Sequence, residues 1–281
     1  MDKDNNQQSP KKEFVQRLIS ALVVAPFVLL CFVSYSSLVG LVATIVMIGA
    51  SELFFTVIKK HGMSLVVMYT AVVTLYPVLY GVAFRDNPME LLATLYITGS
   101  VLTLSKVKDK EAVTEAHFAY VTALIYVSFL LSFFLPIYDL YGAAIALLTL
   151  TLSWAYDSFA YAFGVSTGGK HKLHSYYSPN KSWEGFFGGI FGTFLYIILY
   201  QNLANLFFNA NMKFSLPFTI FLSIVTGIFD TFGDLFESSI KRHYGVKHLG
   251  NLMPGHGGIL DRIDGLLFIT PIMYIILQIF Y

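Results

Sequence analysis

Long apolar runs dominate this chain of 281 residues and constrain its fold more than any other feature. A helix needs about 17–25 mostly apolar residues to cross the roughly 30 Å hydrocarbon core of a bilayer. Runs of this kind recur at about 18–35, 38–58, 64–84, 88–105, 117–136, 140–163, 184–207, 215–238 and 259–280. They predict an all-α, polytopic integral membrane protein with nine transmembrane helices.

The composition agrees with lipid as the solvent. Charged residues make up 12% of the chain, whereas soluble domains contain roughly 25%. The formal net charge is +1 and no basic stripe is present, so we expect no nucleic-acid partner. The single cysteine, Cys31, lies inside an apolar run and excludes an internal disulfide.

Lysine and arginine residues in the loops predict the orientation. With nine helices, nearly all of these residues fall on one side, and the opposite side retains only Arg85 and Lys213. Loops rich in lysine and arginine stay in the cytoplasm. We therefore expect a cytoplasmic amino terminus and cytoplasmic loops after every even-numbered helix.

Three regions follow from this pattern. Residues 1–16 are polar and predict a disordered cytoplasmic tail. Residues 17–139 contain the N-terminal transmembrane helices, and residues 140–281 form a C-terminal transmembrane catalytic region. We expect the chemistry in the C-terminal region, because its cytoplasmic loops after the sixth and eighth helices are the longest and the richest in Gly, Pro and His.

Acids inside the apolar runs are the clearest indication of a functional site. An ionisable side chain in a membrane span costs about 2.5–3.5 kcal/mol on insertion scales and usually faces a cavity or a partner. Such acids occur in the second, sixth, eighth and ninth runs: Glu52, Asp157, Asp230, Asp234, Glu237, Asp261 and Asp264. The acids of the eighth run are four and three residues apart and those of the ninth are three apart, so each set shares one helical face.

Two sets of carboxylates at the ends of neighbouring helices predict a site for a divalent cation. Mg²⁺ typically binds one or two carboxylates together with water and substrate phosphates. Helix capping and interfacial ion pairing are the alternative, because acids are also favoured at helix amino termini. This alternative applies above all to Glu52 and Glu237.

A glycine-rich turn, MPGHGG at 253–258, separates the two acid sets. Gly255, Gly257 and Gly258 allow backbone conformations that other residues rarely adopt, and a turn followed by a helix amino terminus can hold anionic oxygens. His256 can either donate to a phosphate or stabilise the turn. Four bases flank the turn and extend the prediction to a phosphate pocket beside the metal site: Lys241, Arg242, Lys247 and Arg262.

The other long loop reads GGKHKLHSYYSPNKSWEGFFGG, residues 168–189. Ser178 and Pro179 predict a sharp turn, and Ser182 is the expected N-cap of the seventh helix. Lys181 is either an ordinary cytoplasmic lysine or a substrate contact. His171 and His174 lack the spacing and the cysteine partners of a zinc site.

Two groups of motifs resemble those of the CDP-diacylglycerol synthases, also called phosphatidate cytidylyltransferases. The first comprises Asp157-Ser158, Ala160-Tyr161 and the run SPNKSWEG at 178–185. The second resembles the family signature nearly end to end and comprises Gly233-Asp234, Glu237-Ser238, Lys241-Arg242, PGHGG at 254–258, Asp261-Arg262 and Ile263-Asp264. Helices before Asp157 resemble the family only in number and hydrophobicity.

The resemblance implies that a cytidylyl group passes from CTP to phosphatidate, with Mg²⁺ as cofactor and pyrophosphate as the second product. It implies Mg²⁺ ligands at Asp234, Asp261 and Asp264, with Asp157 or Asp230 assisting from the membrane side. The implied catalytic residues are Lys181, Lys241, Arg242, His256 and Arg262. The implied substrate-binding residues are Ser178, Lys181, Lys241, Arg242, Lys247, Gly255, Gly257 and Gly258.

Further expectations follow from the resemblance. The partners are CTP, phosphatidate and membrane lipid, and the location is a bacterial cytoplasmic membrane with the active site facing the cytoplasm. A second cation and a homodimer are implied as well, although the residues themselves leave both open. His248 departs from the family, which usually has aspartate there, and neutral imidazole is a poor Mg²⁺ ligand.

The residues are also compatible with two other functions. A CTP-dependent polyprenol or phytol kinase would attack with an alcohol, which benefits from a general base. A phosphate monoester is already anionic at neutral pH, because its second pKa is near 6, and it needs no such base. An ion or solute transporter would also contain intramembrane acids, but usually near the membrane midplane rather than at one edge.

Overall fold

A computed structural model describes residues 26–174, 176–252 and 257–281. The predicted tail at 1–16 and residues 18–25 of the first predicted span lie outside the described residues, as do Gly255 and His256. Helices form most of the rest, in the order α1 (Tyr35–Val57), α2 (Met63–Val82), α3 (Pro88–Lys106), α4 (Lys110–Thr122), α5 (Phe134–Ser166), α6 (Trp183–Phe208), α7 (Leu216–His243) and α8 (Leu260–Phe280). A 3₁₀ turn, Lys59–His61, joins α1 to α2.

The all-α membrane class is confirmed. Within the described ranges, six helical segments are long and apolar enough to cross a membrane: Tyr35–Val57, Met63–Val82, Lys110–Ser166, Trp183–Phe207, Leu216–His243 and Leu260–Phe280. The segment Lys110–Ser166 has 57 residues and includes two of the predicted spans. The predicted span at 88–105 coincides with α3, which is not among the six segments.

The segment between α4 and α5 departs from regular α-helix at two points. Residues Ala123–Phe129 form a π-helix, which continues into the short helical turn Leu130–Ser132. Within α5, Gly142 has φ 81° and ψ 174°, so the helix is interrupted there. The predicted boundary at 139/140 falls close to this interruption.

Polar side chains define where several helices begin. Ser182 accepts a hydrogen bond from the backbone N–H of Gly185 at 3.1 Å, so its predicted role as the N-cap of α6 is confirmed. Asp109 caps α4 in the same way, through the N–H of Ala112. Ser215 caps α7.

The loop between α5 and α6 contains a β-hairpin that the sequence analysis did not predict. Strands β1 (Lys172–His174) and β2 (Ser178–Ser182) pair antiparallel, with Lys172 opposite Ser182 and His174 opposite Ser178. Both strands are very short and lack a regular apolar alternation, which is why their sequence does not indicate strand structure. The hairpin directs Lys181 toward α7.

Two glycines allow α7 and α8 to pack closely. A Cβ atom at Gly233 would overlap the backbone carbonyl of Asp264, and a Cβ atom at Gly265 would overlap the carboxyl group of Asp230. Close backbone approach of this kind requires residues without side chains. The contact brings the acids of α7 next to those at the start of α8.

Candidate active site

Acidic side chains of α5, α7 and α8 come together where these helices pack, with those of α7 and α8 buried or half-buried and Asp157 of α5 exposed. Asp230, Glu237 and Asp264 are 1%, 0% and 8% exposed. The carboxyl group of Asp157 lies next to that of Asp230, and the carboxyl group of Glu237 lies next to that of Asp264, so that the charges of each pair interact. Neighbouring carboxylates repel each other, and a bound cation relieves this repulsion, so the acid cluster is suited to binding a cation.

Lys181 joins the hairpin to this cluster. Its Nζ atom lies 2.9 Å from Oδ2 of Asp234, and both side chains are about one-quarter exposed, at 25% and 27%. Burial alone lowers the pKa of Lys181, but the charges of Asp234, Asp230 and Asp157 outweigh it and hold the pKa above its usual value. Lys181 therefore stays cationic at neutral pH, as a phosphate-binding group must.

Lys241 forms a second bridge, between α7 and α8. Its Nζ atom donates to Oε2 of Glu237 at 2.6 Å and to Oδ1 of Asp261 at 2.8 Å, and its side chain is 12% exposed. The other oxygen of Asp261 accepts from the backbone N–H groups of Gly258 at 2.9 Å and Leu249 at 3.3 Å. Asp261 thus organises the loop before α8 in addition to facing the acid cluster.

Glu52 caps a helix, which was the alternative to metal binding that the sequence left open for this residue. Its carboxylate accepts hydrogen bonds from the backbone N–H groups of Ile259 at 3.0 Å and Leu260 at 2.9 Å, at the start of α8. It also fills the space above Gly250 and Gly258, where a Cβ atom would overlap it. Glu52 therefore fixes the amino terminus of α8 from α1.

The two described glycines of the turn are explained by internal packing. Gly257 has φ 85°, and a Cβ atom there would lie 2.8 Å from Nδ1 of His248 and 2.9 Å from Oδ2 of Asp261. The N–H of Gly258 is already bonded to Asp261. Neither observation requires a bound phosphate, so substrate binding by Gly257 and Gly258 stays a prediction.

A cavity of about 600 Å³ adjoins the acid cluster. Polar side chains from α5, the hairpin and α7 line it: Asp157, Lys172, Ser178, Asn180, Lys181 and Thr231. The predicted substrate-binding residues Ser178 and Lys181 line this cavity next to Asp157. The cavity has the size and polarity of a site for a phosphorylated ligand.

The remaining predicted bases occupy different surroundings. Arg242 lines another cavity of about 600 Å³, together with Phe118, Tyr176 and Phe236. Lys247 and Arg262 are exposed, and the charge of Arg262 acts on Asp157. The structure thus brings Arg262 near the acid cluster, whereas Arg242 lines a separate cavity.

His248 occupies the position where the family usually has aspartate. Its Nδ1 atom lies 3.6 Å from Oδ2 of Asp261, and its side chain is 41% exposed. A protonated imidazole would form an ion pair with Asp261 where a carboxylate would repel it. The departure therefore changes the charge beside the site.

Three residues near the site were missed by the sequence analysis. Ser153 donates a hydrogen bond to Asp230, and the hydroxyl groups of Tyr156 and Thr231 are 2.8 Å apart. Ser153 lies four residues before Asp157 on the same helical face, and this spacing could have identified it. The pairing of Tyr156 with Thr231 depends on the packing of α5 against α7, which a single sequence does not reveal.

The donor set of the acid cluster fits a hydrated Mg²⁺ ion, although it does not enclose one. Within residues 26–174, 176–252 and 257–281, no group of three or more His, Cys, Asp or Glu side chains is arranged to hold a metal ion by itself. Oε1 of Glu237 is buried and has no hydrogen-bond partner among the described residues. Mg²⁺ commonly binds one or two carboxylates and completes its shell with water and substrate phosphates. Neighbouring carboxyl groups beside a polar cavity match this mode of binding.

Comparison with known proteins identifies the family. The model of the Cytidylyltransferase family matches residues 15–280. The chain is 49% identical over 263 residues to the phosphatidate cytidylyltransferase of Thermotoga maritima, and the aligned region covers 94% of this chain and 96% of the relative. It is 37% identical over 209 residues to the protein of the same name from Bacillus subtilis, with coverages of 73% and 75%. A match over nearly the whole length, together with the acid cluster and its cavity, shows that this chain belongs to the cytidylyltransferase family.

Proposed function

We propose that this protein transfers the cytidylyl group of CTP to phosphatidate and forms CDP-diacylglycerol and pyrophosphate. A phosphate oxygen of phosphatidate attacks the α-phosphorus of CTP. A new P–O bond forms, the bond to the bridging oxygen of the β-phosphate breaks, and pyrophosphate leaves with that electron pair. The observation that carries this proposal is the contact between Lys181 and Asp234, where the cavity meets the acid cluster.

Charge is the main obstacle to this reaction. The attacking phosphate is anionic at neutral pH, so the site needs no general base to activate it. Two polyanions must approach each other, and negative charge develops on the departing pyrophosphate. Lys181, which stays cationic inside the protein, is suited to binding a phosphate, and Ser178 and Lys172 line the same cavity.

We assign Mg²⁺ to Asp234, Asp261 and Asp264, with Asp157 or Asp230 assisting on the membrane side. The contact of Asp261 with Lys241 does not prevent this role, because a carboxylate oxygen that accepts one hydrogen bond retains a second lone pair. When bound, Mg²⁺ neutralises phosphate charge and stabilises the leaving group. Arg262, Lys241 and His256, which lies outside the described residues, complete the proposed catalytic set, and Arg242, Lys247 and Gly255 are further predicted contacts. A second cation stays a prediction.

The surroundings of the cavity are suited to a lipid substrate. Tyr161 lines the cavity and is 75% exposed, and Trp183 and Phe187 are exposed on the neighbouring first turns of α6. Apolar side chains are exposed in this way where a protein contacts hydrocarbon. We propose that the acyl chains of phosphatidate pass this opening while CTP enters from the aqueous side.

The proposed topology has nine membrane helices, a cytoplasmic amino terminus and a site facing the cytoplasm of a bacterial cell. The lysine-rich loops after α1, α5 and α7 support it, because they fall on the side of the acid cluster. Replacing Cys31 gives a cysteine-free background. A cysteine introduced at Lys59 or Lys247 should then react with impermeant reagents only in inverted vesicles. Cross-linking of detergent-solubilised protein tests the expected homodimer.

Purified protein incubated with CTP labelled at the α-phosphate, phosphatidate and Mg²⁺ tests the reaction directly. The label should appear in the lipid product, identified by mass as CDP-diacylglycerol. A CTP-dependent lipid kinase would leave the label in CDP. A transporter would move a solute across proteoliposomes without consuming CTP. Either result would contradict the proposed function.

A further inference from the structure

Tyr126 presents a polar group to the acid cluster from the N-terminal half of the chain, outside the motifs that carry the family resemblance. It lies within the π-helix Ala123–Phe129. A π-helix accommodates an extra residue in a turn, so it rotates the following side chains relative to a regular α-helix, and such segments are frequent at functional sites.

The ring of Tyr126 is held between α7 and α8. Its centroid lies 4.8 Å from that of Phe236 and 6.1 Å from that of Phe268, at interplanar angles of 66° and 67°. These edge-to-face contacts bury the residue to 4% exposure. The direction of the hydroxyl group is therefore fixed by packing on both sides.

The hydroxyl group of Tyr126 lies beside the acid cluster. It is buried and makes no hydrogen bond to any residue that the structure describes. The charged groups that act on it are, in decreasing order, Asp264, Glu237, Asp234 and Asp261. Buried hydroxyl groups nearly always have a partner, and an exception next to acids indicates a bound water or ion.

A second atom in the same place has the same property. Oε1 of Glu237 is buried and unpartnered among the described residues, and its carboxyl group is in contact with that of Asp264. One donor and one acceptor that both lack partners can be satisfied together by a water molecule bound to a cation. We propose that Tyr126 is a further residue of the cation site, and that its hydroxyl group hydrogen-bonds to a water ligand of a divalent cation held at Asp264, next to Glu237.

This inference rests on the proposed function, because it requires a cation at the acid cluster. Tyr126→Phe removes only the hydroxyl group and keeps both ring contacts. We expect the Mg²⁺ concentration that gives half-maximal thermal stabilisation of the purified protein to rise about tenfold, as is typical when a residue around a metal site is lost. The unfolding temperature without Mg²⁺ should stay the same or rise.

Tyr35→Phe is the matched control. The hydroxyl group of Tyr35 is also buried and unpartnered among the described residues, but the guanidinium group of Arg85 lies over its ring, and the charges that act on it are those of Arg85 and Asp139. This variant should show the Mg²⁺ dependence of the unchanged protein. The Mg²⁺ requirement of the reaction should shift in Tyr126→Phe and not in Tyr35→Phe.

The measurement separates failure of this inference from failure of the metal assignment. If Mg²⁺ stabilises the unchanged protein and Asp264→Asn abolishes the effect, the cation site stands. An unaltered Mg²⁺ midpoint in Tyr126→Phe then overturns the role of Tyr126. If Mg²⁺ does not stabilise the unchanged protein at all, the metal assignment and this inference both fail.

Discussion

Glu52 of α1 accepts a hydrogen bond from the backbone N–H of Leu260, which is 208 residues further along the chain. The first turn of a helix has N–H groups without partners inside the helix. Here a side chain from the other half of the protein satisfies two of them, and Asp261 and Asp264 follow directly. The N-terminal helices therefore contribute to the site by fixing the start of α8.

Replacing Glu52 should destabilise the protein in proportion to the hydrogen bonds lost. Glu52→Ala leaves two backbone N–H groups without their acceptor in a buried region, and each such group costs about 1–3 kcal/mol. We expect a loss of about 2–5 kcal/mol in the free energy of unfolding, and a smaller loss for Glu52→Gln, which keeps one acceptor. Unfolding in mixed detergent measures both.

Glu90→Gln is the control for charge removal. Glu90 lies in the first turn of α3 and is exposed. Its replacement should change the free energy of unfolding by less than about 0.5 kcal/mol. Equal effects at Glu52 and Glu90 would refute the capping role of Glu52.

Lys181 should be required for turnover over the whole physiological pH range. We expect Lys181→Met to lower kcat/KM at least about 100-fold, because it removes a half-buried cation that faces the developing phosphate charge. Lys172→Met, which lines the same cavity from an exposed position, should lower it far less. Comparable losses in the two variants would argue against a special role for Lys181.

The raised pKa of Lys181 predicts how its contribution to stability depends on pH. A lysine whose pKa is higher in the folded state stabilises the protein fully below its unfolded pKa of about 10.4, and the contribution disappears as pH rises through the folded value. The stability difference between Lys181→Met and the unchanged protein should therefore be constant from pH 6 to pH 9. A difference that shrinks within this range would contradict the raised pKa.

Helices and their acids could be predicted because they depend on local patterns. Apolar runs predicted α1, α2, α3, α6, α7 and α8 within about five residues, whereas the run at 117–136 covers only the end of α4 and continues through the π-helix. The spacing of Asp230, Asp234 and Glu237 predicted a shared face. The sequence assigned Lys181 and Asp234 to the same site but did not predict that they are in contact. Its geometry depends on a β-hairpin whose strands are too short to be recognised from sequence.

Long-range partners could not be predicted for a physical reason. The bonds from Glu52 to the start of α8 join positions that no periodicity connects. Tyr126 resembles any aromatic residue of a membrane span, and only the π-helix and its packing direct the hydroxyl group toward the acids. Residues of this kind are recognised from tertiary packing rather than from local sequence.

Replacing Asp261 should affect both activity and stability, whereas replacing Asp264 should affect mainly activity. Asp264→Asn and Asp261→Asn should both abolish CTP consumption, because each removes a proposed Mg²⁺ ligand. Asp261 also holds Lys241 and two loop N–H groups, so Asp261→Asn should lower the free energy of unfolding by about 1–3 kcal/mol as well. Activity assays and unfolding curves on the same preparations distinguish the two. Near-normal activity in either variant would remove that residue from the metal assignment.

Gly265→Ala tests the close contact between α7 and α8. The added Cβ atom would overlap the carboxyl group of Asp230, which is buried and has little room to move. We expect a loss of about 1–3 kcal/mol in the free energy of unfolding, together with loss of activity, because the two acid sets would be pushed apart.

Gly40→Ala in α1 is the matched control, since nothing lies within 4 Å of the Cβ atom that it adds. Helix propensity favours alanine there by roughly 0.5–1 kcal/mol, so this variant should be as stable as the unchanged protein or more so. An active, fully stable Gly265→Ala variant would show that the acids do not depend on this contact.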